Sequence, residues 1–84
     1  MTELKSRFDQ AVADSKSLPD RPDNPTLLKL YALYKQASHG DAEAGRPGFS
    51  DPIGRAKWDA WNGLKGTRAD AAMQSYVALV ESLK

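Results

Sequence analysis

Residues 41–51 read DAEAGRPGFSD. The stretch has no apolar periodicity and carries Gly45, Pro47 and Gly48 as breakers, so it is a long loop between helices. Its eleven residues at ~3.3 Å each reach roughly 36 Å, whereas a helix of about 16 residues at ~1.5 Å per residue is roughly 24 Å long. A loop of that reach can run back along a bundle, so the helices on either side of it are expected to lie parallel. An all-α, four-helix up-down-down-up bundle with a long crossover loop between helices 2 and 3 is therefore preferred over a plain up-down-up-down form.

Upstream of the loop, Asn24 and Pro25 form an N-cap and first-turn proline that open a helix to about Ser38, ended by Gly40. Its apolar positions Leu27, Leu28, Leu30, Tyr31, Leu33, Tyr34 and Ala37 cover more than one stripe, which predicts two neighbours or a ligand in addition to a core. Downstream, Asp51 and Pro52 repeat the cap pattern and open a helix to about Leu64 that Gly66 terminates. Thr67 with Asp70 resembles a capping box, followed by a fourth helix whose stripe is Ala69, Ala72, Met73, Tyr76, Val77, Val80 and Leu83. At the other end, Leu4, Phe8, Ala11 and Val12 mark a first helix from Glu3 to Lys16, with Thr2 as its cap. Pro19 and Pro22 in SLPDRPD, residues 17–23, stop it. Short connections suit antiparallel neighbours, so helices 1 and 2, and helices 3 and 4, are expected to pack side by side. No strand pattern or repeat competes.

Eighty-four residues, 40% hydrophobic and 27% charged, describe one globular domain over 1–84. With no cysteine, thiol catalysis, disulfides and cysteine-ligated metals are excluded. No apolar run approaches the ~18 to 20 residues of a membrane span, and MTELKSRFDQ lacks a signal-peptide core, so a cytoplasmic protein is expected. Twelve Lys plus Arg against eleven Asp plus Glu leave a net charge of +1, too small a field for nucleic acid or acidic membranes. Any anion site must be local.

The stretch YALYKQASHGD, residues 31–41, places Tyr31, Tyr34 and Lys35 on one flank of a helix. Rings beside an ammonium can pack a flat heterocycle and hold an anion; core tyrosines with wetted hydroxyls beside a solubilising lysine give the same pattern. In IGRAKWDAWNGLKG, residues 53–66, Arg55 and Lys57 lie about 200° apart around the axis, so they cannot both face one site. Trp58 and Trp61 are most simply packing residues. His39 is the one histidine, with Ser38 and Asp41 close in sequence. Adjacency does not make a triad, and an exposed residue at a helix C-terminus is the simpler reading. No catalytic residue, metal site or cofactor is expected, and a helical protein-interaction module, which needs no sequence signature, stays open.

Taken in order, Tyr-x-x-Tyr-Lys-Gln-Ala (31–37), Gly-Asp (40–41), Arg-Pro-Gly (46–48), Lys-Trp-Asp-Ala-Trp (57–61) and Leu-Lys-Gly (64–66) resemble the acyl-coenzyme A binding protein family, from about Phe8 to Lys84. The resemblance implies an up-down-down-up bundle and a non-enzymatic cytosolic carrier that binds medium- to long-chain acyl-coenzyme A esters one at a time. Tyr34 matches the ring associated with the adenine. Tyr31, Lys35 and Lys57 match the groups around the phosphates, and Lys16 a basic position on the first helix that helps there. Tyr76 matches a residue near the acyl-pantetheine part, Phe8, Ala11 and Leu28 match positions along the chain's path, and Trp58 matches a core tryptophan. The implied partner is the acyl-coenzyme A ligand alone, with no nucleic acid and no stable membrane insertion, and the protein is expected to be a monomer. Ile53 stands where some members have lysine and Phe49 where methionine is common, and SLPDRPD differs in detail. These departures bear on chain-length preference.

Overall fold

The computed structural model describes residues 2–43 and 45–84, with Thr2 described by its backbone alone. Four helices make up its regular structure: α1 (Thr2–Ser15), α2 (Asn24–His39), α3 (Pro52–Asn62) and α4 (Ala69–Ser82). The cap expected from the Thr2 side chain lies outside the described residues.

Helix directions follow from which residues meet. Tyr31 meets Lys57, and further along both helices Lys35 and His39 meet Trp61, so α2 and α3 run parallel. Gln36, near the end of α2, bonds to Thr67 just ahead of α4, which sets those two antiparallel. Phe8 meets Tyr76, and Asp14 pairs with Lys84 at 3.0 Å, so α1 and α4 are parallel. The result is up-down-down-up, with the 41–51 loop as the crossover that parallel α2 and α3 require.

The packing pairs differ from expectation. α2 lies against α3 and α4, and α1 lies against α4. The backbones of α1 and α2, and of α3 and α4, do not pack side by side as their short connections implied. A short link fixes only the ends of two helices; burial decides the rest. The core is built from Phe8 and Ala11 on α1, Leu30, Leu33 and Ala37 on α2, and Ala72, Tyr76, Val77 and Val80 on α4. α2 can serve two neighbours because its apolar positions span more than one stripe. α3 contributes no buried residue, so Trp58 and Trp61 are half-buried and not core residues in the strict sense.

Local chemistry shifts several boundaries. The cap of α2 is Asp23, whose carboxylate accepts the Thr26 N–H at 3.0 Å, in place of Asn24. An anionic acceptor at the positive end of the helix is favoured over a neutral one. Gly40 ends α2 at φ +83°, donating its N–H to Gln36 O. Asp51 caps α3 through the Gly54 N–H, as expected. α3 itself stops at Asn62, two residues before the expected Leu64, where three-residue turns take over (Leu64 N–H to Trp61 O, Lys65 N–H to Asn62 O) until Gly66 at φ +90°. The Thr67–Asp70 capping box does not form. α4 starts one residue later than that box requires, with Arg68 at the cap and no side-chain cap bond, while the Asp70 carboxylate takes the Ala71 N–H.

Candidate functional site

Because α3 rests on α2 without entering the core, their contact is an open seam. Two rows at four-residue spacing face each other across it: Leu27, Tyr31 and Lys35 on α2, and Ile53, Lys57 and Trp61 on α3. The Lys57 ammonium sits 5.4 Å from the Tyr31 ring centroid, and the Lys35 ammonium 5.0 Å from that of Trp61. Each helix thus supplies one cation to the other's aromatic ring. Trp61 is fixed in turn by its indole N–H, which donates to Gly40 O at 2.7 Å, and by the edge of the His39 ring.

Below this pair of cations the seam opens into a groove of about 480 Å³ lined by Leu27, Leu28, Tyr31, Pro52, Ile53, Ala56 and Lys57, with Arg21 and Asn24 completing its wall. That size falls in the range of ligand pockets. Tyr31 and Lys57 make one end cationic and aromatic, Leu27, Leu28, Pro52, Ile53 and Ala56 give an aliphatic stretch, and Arg21 and Asn24 add a polar wall at the start of α2, a lining suited to an amphipathic anion.

A second cleft, of about 360 Å³, lies between α1 and α2, with Phe8, Asp9, Val12 and Tyr34 in its walls. Tyr34 is 40% exposed and stacks on Phe8 with centroids 6.0 Å apart and planes at 20°. A planar ring with one free face above a buried aromatic can accept another flat ring.

The expected site residues therefore divide. Tyr31, Lys35 and Lys57 meet at the seam, Leu28 lines its groove, and Tyr34 faces the neighbouring cleft. Phe8, Ala11 and Tyr76 are core residues, each 4% exposed; Tyr76 meets Phe8 edge-on and donates its hydroxyl to Ser15 Oγ. Lys16 is exposed in the turn just after α1, one residue beyond the helix it was expected to occupy, and does not line the seam groove. Arg55 points elsewhere, over the ring of Phe49 at 4.4 Å, as the 200° separation from Lys57 requires. Arg21, Pro52 and Ala56 were not expected in the sequence as site residues, Pro52 having been read only as the proline that opens α3. Leu27 and Ile53 carried a usable signal, since each lies four residues before a seam residue, Tyr31 or Lys57.

The groups nearest to a triad are committed elsewhere. The Ser38 hydroxyl donates to Tyr34 O at 2.6 Å, and Asp41 Oδ1 accepts from Gln36 Nε2 and from the Gly66 N–H. Those two bonds, the Gly66 amide foremost, hold the Asp41 carboxyl below the usual carboxylate range. Among the described residues no group of three or more His, Cys, Asp or Glu is placed to hold a metal ion, and no helix is long and apolar enough to cross a membrane.

The sequence pattern of the family described as Acyl CoA binding protein matches residues 5–80, which include the whole seam and both clefts. The chain belongs to the acyl-CoA-binding protein family. The acyl-CoA-binding protein homolog of Drosophila melanogaster is 46% identical over 80 residues, spanning 95% of this chain and 93% of that protein. Acyl-CoA-binding protein homolog 1 of Caenorhabditis elegans is 51% identical over 76 residues, 90% of this chain and 88% of its own length. The crystal structure of Oryza sativa Acyl-CoA-Binding Protein 2 superposes with a TM-score of 0.93 at 39% identity, covering 98% of this chain and 89% of that one. The resemblance carried by the ordered motifs thus holds over nearly the whole chain, and the acyl-CoA-binding protein family is a family of binding proteins.

Proposed function

We propose that this chain, as one acyl-CoA-binding domain over residues 1–84, binds medium- to long-chain acyl-coenzyme A thioesters reversibly and acts as a non-enzymatic monomeric carrier and buffer of them in the cytoplasm. The observation that carries the reading is the facing of Tyr31 by Lys57 and of Lys35 by Trp61 at one end of an apolar groove. Lys35, Lys57 and the Tyr31 hydroxyl serve the phosphates, with Lys16 as a further cation. Tyr34 takes the adenine on its exposed face. Leu28 and the groove take the acyl chain. Phe8, Ala11 and Tyr76 act from beneath, Phe8 by backing the Tyr34 ring and Tyr76 by holding Phe8 edge-on.

Magnitudes assign the labour. Removing a methylene from water is worth about 0.8 kcal/mol, so about fourteen of them give on the order of 11 kcal/mol gross, before ordering and association costs. A charge-assisted phosphate contact adds about 1.5 to 3 kcal/mol. Burial of the chain sets affinity, and the lysines select a coenzyme A ester over a free fatty acid.

Native mass spectrometry tests this directly. Mixed with palmitoyl-coenzyme A, the protein should gain one mass increment equal to the intact thioester, and the ester should be recovered unhydrolysed. Unliganded protein alone, or release of free coenzyme A, would contradict the proposal.

A further inference from the structure

α3 contributes no buried residue, so its register on α2 is set by contacts at its margins and not by a shared core. On its inner flank these are the Lys57–Tyr31 and Lys35–Trp61 pairs and the Trp61 indole bond to Gly40 O. On the opposite flank stands Asp59, two residues and about 200° around the axis from Lys57. Its carboxylate accepts two bonds from the Arg46 guanidinium, from Nε at 2.9 Å and from Nη2 at 2.8 Å. Among the described residues this is the one ion pair made by the crossover loop.

The same loop meets α3 a second time. Arg55, four residues before Asp59 and on the same flank, lies over the Phe49 ring at 4.4 Å. The loop is thereby strapped along the side of α3 turned away from α2. A two-pronged guanidinium–carboxylate fit fixes geometry as well as charge. Hydrogen bonding from Arg46 holds the Asp59 carboxyl below the usual carboxylate range. Both partners are about half exposed, so the pair adds little to global stability. Its effect is on where α3 rests. That effect grows as the site fills, because phosphates that recruit Lys57 and Lys35 draw them from the Tyr31 and Trp61 rings, and the strap is among the contacts that remain.

We propose that Arg46 and Asp59 are positioning residues for the ligand site: their pair straps the crossover loop to the outer flank of α3 and so keeps Lys57 and Trp61 in register with Tyr31 and Lys35. The inference rests on the acyl-coenzyme A reading of the seam. Neither residue touches the ligand, and each acts through the placement of Lys57.

The test is titration of palmitoyl-coenzyme A into the unaltered protein, Arg46→Gln, Asp59→Asn and the double variant, with thermal melts and acrylamide quenching of tryptophan fluorescence on each. Both tryptophans of the chain, Trp58 and Trp61, are on α3, so quenching reports on that helix alone. Each single variant should bind about three- to fivefold more weakly, the full worth of a well-formed exposed pair, and its tryptophans should be quenched more readily. Thermal midpoints should move by less than about 5 °C. The double variant should be about as weak as either single one, because both remove the same contact. Full affinity in the single variants, multiplied losses in the double, or weaker binding with unchanged quenching overturns the inference while leaving thioester binding intact. Failure of the unaltered protein to bind the thioester overturns that reading and this inference with it.

Discussion

The Lys57 ammonium lies 5.4 Å from the Tyr31 ring centroid, joining two helices through an exposed cation and a half-buried aromatic ring. Such a contact is worth about 0.5 to 1 kcal/mol at an exposed site. A phosphate outbids it, because a charge-assisted bond contributes about 1.5 to 3 kcal/mol. Lys57→Ala and Lys35→Ala should each weaken palmitoyl-coenzyme A binding by about 10- to 100-fold, with far-ultraviolet circular dichroism unchanged. Neither should weaken binding of palmitate. If calorimetry finds both variants at full affinity for the thioester, the phosphates lie elsewhere.

Gln36 is 1% exposed and joins three segments: its Nε2 donates to Asp41 Oδ1 and to Thr67 O, each at 2.8 Å. Both partners are acceptors, which fixes the orientation of the amide. Its Oε1 is buried without a protein partner, a cost that offsets part of the gain. Gln36→Leu preserves bulk and removes both bonds, leaving the Thr67 carbonyl without its donor. Urea unfolding should show a loss of about 1 to 3 kcal/mol. An unchanged or raised midpoint would mean that the buried acceptor cancels the two bonds.

Acid should destabilise the protein through named carboxylates. Asp41 is held below the usual range by the Gly66 amide and then Gln36, Asp59 by hydrogen bonding to Arg46, and Asp14 by Gln10 and then Lys84. For a lowered folded pKa, the unfolded chain takes up protons first. The stabilisation is therefore complete above the unfolded value of about 3.9 and is lost as pH falls from there through the folded values. Thermal midpoints should drop steeply below about pH 4. Asp41→Asn should melt lower than the unaltered protein at pH 7 and approach it at pH 2, and a constant gap between the two would contradict the assignment.

Much of this was written in the sequence, and the exceptions have physical causes. Eleven residues between Gly40 and Pro52 sufficed to predict parallel α2 and α3, and the broad apolar surface of α2 predicted two neighbours or a ligand, of which the structure shows the neighbours α3 and α4. Connection lengths gave no access to the packing of α1 on α4, because those helices are remote in sequence and meet through Phe8 and Tyr76. Asp23 and Asn24 are both good caps standing side by side, and only the structure decides between them. Of the proposed site, the placing of Tyr31, Lys35 and Lys57 together was legible from spacing combined with the family motifs. The outward position of α3 was not. Two tryptophans three residues apart read as packing residues, whereas here Trp61 is a half-buried platform for Lys35, and the same outward placement opens the groove.

The central claim is that one groove joins a phosphate site to an acyl-chain site, and calorimetric titration of palmitoyl-coenzyme A, coenzyme A and palmitate under identical conditions tests it most directly. The account predicts one equivalent of the thioester bound at submicromolar concentration, with coenzyme A and palmitate each much weaker than the ester that joins them. No heat with the thioester at that concentration, or palmitate binding as tightly as its coenzyme A ester, would contradict it.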